Sequence, residues 1–305
     1  NKKSTQASMK TLQDVCPVLL ILVVTVNLVA TVSSDHVDSN TRSAFMNRGS
    51  PSANIEEMKM VILSDPPRAV EHHAIYRATS ESGYSGGMAT LDVSSFPNIK
   101  NGELTAAILW VSSEHNEDRT DLNSIQAGWV VNPQRFGDSK THFFIFRTLD
   151  GFNGSTGCYN LDCDAFVPVN DAPITPGDTL ESGKGHDEIS FKIFKSKDDG
   201  DWWLHFGYDI NNLIPVGFWP NSQFTKLKDH ASCYSGNPSP PMGNGQWPGK
   251  NSARFQNVQF VDTSGTAYGV PAWSLSVHSS NKKCYQASPF SDSMFYYGGP
   301  GGCIN

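Results

Sequence analysis

The sequence predicts an all-β protein, a single-domain sandwich of two antiparallel sheets with few short helices. Three observations support this fold class. Apolar and polar residues alternate with the period of a strand over many short segments in the C-terminal three quarters of the chain. Pro, Gly and Asn separate these segments at intervals of about ten to fifteen residues. No long segment has the 3.6-residue period of an amphipathic helix, which favours a sandwich.

Residues 1–34 are predicted to be a secretory signal peptide. An apolar run over residues 17–32 follows Lys10 and precedes Ser33 and Ser34. This is the order of basic flank, apolar centre and small-residue exit that signal peptides share. A membrane anchor is the competing interpretation, because the run approaches the roughly 18 residues that span a bilayer.

Cleavage is favoured over anchoring because Asn27 interrupts the apolar run. The true start of translation is then expected near Met9, which gives a better-proportioned signal. Residues 35–70 are polar and are interpreted as a short, loosely docked leader or propeptide remnant, with one strand-like stretch at 58–64. Residues 71–305 are expected to form the β-sandwich domain.

The charge balance excludes one class of partner. The chain carries 23 basic and 30 acidic residues, a net charge of −7. Loss of residues 1–34 removes Lys2, Lys3, Lys10 and Asp14, which lowers the basic count from 23 to 20 and the acidic count from 30 to 29. An acidic chain without a basic cluster has little affinity for phosphate backbones, so we expect no nucleic-acid partner. We also expect no membrane association once the signal is removed.

Cysteine usage agrees with export. Cys158 and Cys163 are close enough in sequence to bridge a tight loop, and Cys284 and Cys303 flank the last hairpin-like segment. Cys233 is left over, either free and buried or available for self-association with another chain. Zinc binding is the rival interpretation of the C-x4-C pair, but no second Cys or His pair has zinc spacing.

The predicted strands begin after the leader. One helical stretch is expected at 222–228, and a loop rich in Pro, Gly and Asn at 235–250. Asn153 stands in the sole N-glycosylation sequon, as befits a secreted protein. In chain order the strand segments are HAIYRATS, GMATLDVSSF, LTAAILWVSS, SIQAGWVV, THFFIFRT, AFVPVN, ISFKIFKSK, DWWLHFGY, LIPVGFWP, ARFQNVQFVD, GVPAWSLSV and YYGGPGGC.

We expect neither a metal nor a cofactor. The histidines His72 and His73, and the run at 186–188, lack the completed spacing of a metal site. The G-x-S-x-G pattern at 83–87 lies between two predicted strands, whereas a nucleophile elbow requires a following helix.

Six segments form specific motifs: IQAGWVVNPQRFGD, TLDGFNGSTGCYNLDCDAFVPVN, DWWLHFG, VGFWPNSQFTKL, PMGNG and YYGGPGGC. Together they resemble the plant neprosin family of secreted glutamic peptidases that cleave after proline. The resemblance covers about residues 74–303 and implies a sandwich of two antiparallel sheets, with Cys158–Cys163 and Cys284–Cys303 disulfide-bonded. Residues 35–70 are shorter than the family's propeptide and lack its cysteines, which a truncated gene model would also explain.

The resemblance implies a catalytic pair of glutamates without metal, one polarising a water and the other protonating the leaving amine. The first glutamate stands in I-E-A-G-W, where this chain has Gln126. The second stands in W-G-G-E, where Asn237 is the best-matched residue. After Glu188 the chain contains no further glutamate. A carboxamide forms hydrogen bonds but does not exchange a proton, so we expect catalysis to be impaired.

Three functions remain open at this stage. The first is a secreted, inactive relative that holds proline- or glycine-rich peptides, with the ring-bearing residues Trp129, Tyr159, Trp219 and Trp247 lining its cleft. The second is an active acid-range prolyl endopeptidase, in which Gln126 works with a carboxylate from elsewhere, such as that of Asp229 or Asp262. The third is a structural protein of the apoplast or cell wall, in which Cys233 or sheet edges join chains. All three place the protein outside the cell.

Overall fold

The computed structural model describes residues 23–34, 70–79, 84–114, 123–149, 157–180, 186–224 and 239–303. Within these ranges the chain is mostly strand, and one four-residue α-helix, α1 (Pro133–Phe136), is present. The strands, in chain order, are β1 (Val23–Ser34), β2 (Val70–Thr79), β3 (Gly86–Asp92), β4 (Glu103–Glu114), β5 (Asn123–Val131), β6 (His142–Thr148), β7 (Cys158–Tyr159), β8 (Val167–Pro168), β9 (Glu188–Lys195), β10 (Trp202–Gly207), β11 (Ile214–Trp219), β12 (Ala253–Val261), β13 (Ala267–Gly269), β14 (Leu275–Ser279), β15 (Gln286–Ala287) and β16 (Phe295–Gly298).

These strands form two sheets in which every described pairing is antiparallel. The first sheet has the order β14-β2-β1-β4-β5-β6-β7. The second sheet has the order β15-β16-β12-β3-β9-β10-β11-β8, and β13 pairs with β12. Both sheets face one shared hydrophobic core. The all-β sandwich predicted from the sequence is therefore confirmed.

Alternation along the strands sets which side chains enter the core. In β5 the core-facing residues Ile125, Ala127 and Trp129 are almost completely buried, and in β9 Phe191 and Ile193 are equally buried from the opposite sheet. Burying one large apolar side chain stabilises the fold by about 1.5–3 kcal/mol. A one-residue register shift would move all of them to the other face, so this pattern fixes the register.

Strand β1 lies inside the segment for which the sequence predicts a signal peptide. It separates β2 from β4, with Val29 opposite Ile75 on one side and Ile108 on the other. A chain cleaved after Ser34 would lose this strand and leave two facing sheet edges. The signal peptide stays a prediction, and residues 1–22 and 35–69, with the strand-like stretch at 58–64, lie outside the described residues.

Some predicted segments differ in length from the observed ones. In AFVPVN the strand is confined to Val167–Pro168, and GVPAWSLSV holds a 3-10 turn at Ala272–Ser274 before β14 begins. The helical stretch at 222–228 is represented by a short 3-10 helix, Asn221–Phe224, and the rest of it lies outside the described residues. Pro271 accounts for the second difference, since it has no N–H to donate to a strand ladder and it precedes the 3-10 turn.

Two disulfides close the structure at the positions that the family resemblance implies. Cys158 bonds to Cys163 and Cys284 bonds to Cys303, with Cα separations of 6.1 and 6.0 Å. The rival interpretation of the C-x4-C pair as a zinc site is therefore wrong. Across the described ranges, no cluster of three or more His, Cys, Asp or Glu side chains is arranged to hold a metal ion. No helix in those ranges is both long and apolar enough to cross a bilayer.

Candidate functional site

Gln126 lies on the outer face of the first sheet, opposite the shared core. Its neighbours Ile125 and Ala127 point into the core, so the period of two turns the glutamine outward. In the sheet register Gln126 is opposite Trp110 of β4 and Phe146 of β6, and Phe146 is in turn opposite Tyr159 of β7. Four neighbouring strands thus place these four side chains in one row across the sheet, which we call the Gln126 row.

The Gln126 row lies between one polar and one apolar row. Ser112, Ser124 and Thr148 are aligned on one side. On the other side are Ile108 and Phe144, and together with Phe146 they belong to a hydrophobic cluster outside the main core. Gln126 is only 7% exposed. No residue in the Gln126 row or in the two rows beside it is acidic.

Gly128 separates Ile108 from Phe144 in the apolar row, and its backbone position admits no side chain. A Cβ built there would lie 2.0 Å from the Ala107 carbonyl oxygen. Real Cβ atoms do not approach a backbone oxygen this closely. The glycine therefore lets β4 and β5 approach each other directly beside Gln126.

The Cys158–Cys163 loop forms the far end of the Gln126 row. Asn160 has a left-handed backbone (φ 47°), which asparagine tolerates better than most residues. Its N–H donates to the Ile145 carbonyl at 2.9 Å, and its Oδ1 accepts from the Ile145 N–H at 3.0 Å. The backbone and side chain of Asn160 therefore take the place of a neighbouring strand beside Ile145. Tyr159, next to Asn160, is 42% exposed.

Arg135 of α1 fastens this loop to the helix. Its guanidinium bonds to the Asp162 carboxylate and lies 4.4 Å from the centre of the Tyr159 ring. The helix is positioned by Asn132, whose Oδ1 accepts from the Arg135 N–H, and it ends at Gly137 with a left-handed backbone. A planar guanidinium over a ring restrains the orientation of the aromatic side chain.

An open pocket of about 520 Å³ lies between α1, the disulfide loop and the turn at Pro176. Leu161 contributes an apolar surface that is 42% exposed. The pocket adjoins the Tyr159 end of the Gln126 row, so a ligand can reach from one to the other. Its lining residues are Arg135, Phe136, Asn160, Leu161, Asp162, Pro176 and Gly177.

A buried histidine supports the floor of this pocket. The His142 ring stacks on Phe136 at 4.0 Å, its Nε2 lies 2.9 Å from an Asp138 carboxylate oxygen, and its Nδ1 lies 2.8 Å from the Gly177 carbonyl oxygen. The hydrogen bond with His142 lowers the pKa of Asp138. Both ring nitrogens therefore face hydrogen-bond acceptors, and the ring connects α1 to the turn at Gly177.

The structure corrects two of the four residues predicted to line the cleft. Trp129 and Trp219 are 0% and 1% exposed and belong to the core between the sheets. Trp129 also donates its indole N–H to the Asp92 carbonyl oxygen at 2.9 Å. Tyr159 is exposed on the expected face. Trp247 is 45% exposed, but it lies in the loop before β12 of the second sheet.

Sequence reasoning missed four residues of this face, namely Trp110, Arg135, Phe136 and Phe146. Trp110 and Phe146 are the residues opposite Gln126, so they can be identified once the register of β4, β5 and β6 is known. Arg135 and Phe136 carry no such signal, because α1 is a single helical turn within a predicted loop.

Four predicted residues lie outside the described residues: Asn153, Asp229, Cys233 and Asn237. Asp262, the other carboxylate suggested as a partner for Gln126, belongs to the turn after β12 in the second sheet. Its Oδ1 accepts hydrogen bonds from Ser264 and Thr266 within that turn. The structure therefore does not bring Asp262 together with Gln126.

The second sheet also holds the most perturbed carboxylate of the described chain, that of Asp92. Arg254 donates from Nε to Asp92 Oδ1 at 3.1 Å and from a terminal nitrogen to Glu188 Oε1 at 2.5 Å. Burial raises the pKa of Asp92 to about 6, even though the Arg254 guanidinium opposes the shift. Both acids are thus occupied by one arginine, which is typical of a structural ion-pair network.

The fold and this face define a class of protein: a disulfide-bonded antiparallel sandwich with an aromatic row across one outer sheet face. Comparison with known families then identifies it more closely. The Neprosin family model matches residues 101–300 of the 305-residue chain. The chain belongs to the Neprosin family, as the motifs of the sequence indicate.

Proposed function

We propose that this chain is a secreted, catalytically impaired relative of glutamic peptidases that binds proline- or glycine-rich peptides on the outer face of its first sheet. Family membership supports a peptidase-related function. The observation that carries the proposal is Gln126, a carboxamide in the place of a family glutamate, set among neighbours none of which is acidic. A general acid–base pair contributes about 10²- to 10⁴-fold to a rate. No acidic residue stands in the Gln126 row or in the two rows beside it.

The described surface supports a flat, apolar ligand. Tyr159 and Leu161 are the exposed contacts, and Trp110 and Phe146 continue the surface toward Gln126. Extended proline-rich peptides bind to aromatic-lined grooves, because their backbone is already ordered before binding. The Gln126 carboxamide supplies one donor and one acceptor to a peptide group that lies over the row.

Export is part of the proposal. The two disulfides support it, since disulfides persist in oxidising compartments and are rare in the cytosol. Sequencing the N-terminus of protein recovered from the medium of expressing cells tests both export and cleavage. A start at or near residue 35 agrees with the proposed signal, whereas retention inside the cell contradicts it.

Catalytic status is tested with an internally quenched, proline-containing peptide between about pH 3 and 7, where carboxylate pairs exchange protons. The wild-type protein should show no turnover beside an active neprosin-type enzyme. Gln126→Glu alone should remain inactive, and Gln126→Glu with Asn237→Glu should gain measurable turnover. Wild-type turnover that is abolished in Gln126→Ala would overturn the proposal and establish a glutamine-based active site.

Peptide binding is tested by titrating a labelled proline-rich peptide and measuring fluorescence anisotropy. Tyr159→Ala should weaken binding at least about tenfold, which corresponds to about 1.4 kcal/mol. Tyr159→Phe keeps the ring and serves as the matched control, and Trp247→Ala removes an exposed aromatic ring on another surface. Unchanged affinity in Tyr159→Ala would show that the peptide binds elsewhere.

A further inference from the structure

Strand β14 (Leu275–Ser279) ends the first sheet and is the longest of the strands at sheet ends. The others, β7, β8 and β15, have two residues each. A short edge strand presents little backbone for pairing, whereas five residues suffice to template another strand. Strand β7 is also held in the Cys158–Cys163 loop. In the chain that keeps β1 between β2 and β4, β14 is therefore the longest accessible edge among the described residues.

The hydrogen-bond pattern shows which backbone groups of β14 point away from the sheet. The Ser280 N–H donates to the His73 carbonyl at 3.0 Å, so this position is a hydrogen-bonded pair. Such pairs alternate along an antiparallel ladder. Leu275, Val277 and Ser279 therefore direct their N–H and C=O groups outward. The Leu275 N–H donates to the Ala272 carbonyl in the 3-10 turn. The other outward groups have no backbone partner among the described residues.

Two exposed apolar side chains stand at this edge, and β14 contains no aspartate, glutamate, lysine or arginine. Val277 is 57% exposed and Trp273, just before the strand, is 81% exposed. No acidic or basic residue occurs between Leu275 and Ser279 apart from His278. Natural edge strands are commonly protected by lysine, proline or a bulge, and β14 has none of these within its five residues.

We propose that β14 is a self-association edge that pairs antiparallel with β14 of a second copy of this chain. A two-fold axis at Val277 places each Val277 opposite that of the second copy. In this register both Val277 residues exchange N–H and C=O bonds. Each Ser279 N–H donates to the Leu275 carbonyl of the other copy, while the Leu275 N–H keeps its bond within the 3-10 turn. The pattern is self-complementary and gives four hydrogen bonds between the copies, while each Ser279 carbonyl remains available to water.

The second copy is the occupant that fits best for two reasons. In an identical strand the outward groups of Val277 pair with their own copies, and the outward Ser279 N–H meets the outward Leu275 carbonyl. Extending the register also brings the exposed Trp273 of one copy toward the Asn281–Lys283 turn of the other, where a lysine can lie over the indole ring. This pairing involves neither Gln126 nor Cys233, so it is independent of peptide binding at the Gln126 row and of any intermolecular disulfide. It does require β1, because cleavage after Ser34 would expose the longer edges of β2 and β4, so the test uses protein that retains residues 23–34.

Sedimentation equilibrium over about 1 µM to 1 mM, in the affinity range expected for a small interface, tests the proposal. Reducing agent sufficient to keep Cys233 as a thiol is included, so a covalent dimer is not counted. We expect a concentration-dependent dimer. Val277→Pro removes the outward N–H without touching a bond to β2, and Val277→Lys sets two like charges against each other on the axis. Both should be monomeric over the whole range, while Val277→Thr should still dimerise.

Hydrogen exchange adds a residue-level measurement that does not depend on the variants. The amides of Val277 and Ser279 should exchange rapidly in dilute protein and become protected as concentration rises, whereas the amide of Ser280, bonded to His73, should be protected throughout. A wild-type protein that remains monomeric at about 1 mM would overturn the proposal. So would a dimer that survives both Val277→Pro and Val277→Lys.

Discussion

Replacing Asp92 by asparagine should change how the stability of the fold depends on pH. The Asp92 carboxyl has an ordinary pKa of 3.8 and a folded-state pKa of about 6, raised chiefly by burial. Its side chain is 23% exposed, so solvent screens it only in part. The folded protein therefore holds a proton between these two values that the unfolded chain releases. By linkage, the free energy of unfolding falls as pH rises through this window.

The magnitude follows from the shift. About two pKa units at about 1.4 kcal/mol each give a loss of up to about 3 kcal/mol between about pH 3.5 and 6.5. The carboxamide in Asp92→Asn stays neutral and its oxygen still accepts from Arg254, so the variant lacks this loss. Urea unfolding at several pH values measures the difference, with the exposed Asp164→Asn as a control of equal charge change. The reasoning is refuted if the difference between wild type and Asp92→Asn is constant with pH, or if the variant loses stability relative to wild type as pH rises.

Two further predictions concern the scaffold of the site. Gly128→Ala should destabilise the protein by about 3 kcal/mol or more, because the added Cβ would lie 2.0 Å from the Ala107 carbonyl oxygen. A thermal midpoint within about a degree of wild type would contradict this prediction. Gly269→Ala is the matched control, since a Cβ added there meets nothing within 4 Å. Cys284→Ser should lower the free energy of unfolding by about 3 kcal/mol, because it removes a disulfide that joins residues 19 positions apart. Equal stability of the oxidised wild type and the variant in a denaturant titration would show that the bond contributes nothing.

The sequence predicted the fold class because strand period and turn residues report directly on burial. Ile125, Ala127 and Trp129 alternate with outward residues, and this alternation alone distinguishes the two faces of β5. The same rule, applied to Trp129, already places it opposite to Gln126. Trp129 was predicted to line the cleft because it is aromatic and belongs to the family motif. The alternation along β5 instead assigns its side chain to the core.

The rest of the site required the pairing of distant strands. Gln126 meets Phe146 because β5 pairs with β6, and Tyr159 joins them because a disulfide loop extends the sheet. The contact between Arg135 and Asp162 depends on a one-turn helix that no periodicity marks. Long-range register and short irregular elements determine this surface, and local sequence patterns encode neither.

The carboxamide at Gln126 has a consequence for the conditions in which the proposed surface would work. A pair of glutamates gains and loses protons across the acidic pH range, so its affinity for a ligand varies with pH. A carboxamide and three aromatic rings carry no such proton. If the proposed peptide binding is correct, the affinity of the Gln126 row for its peptide should be the same in an acidic and in a neutral medium.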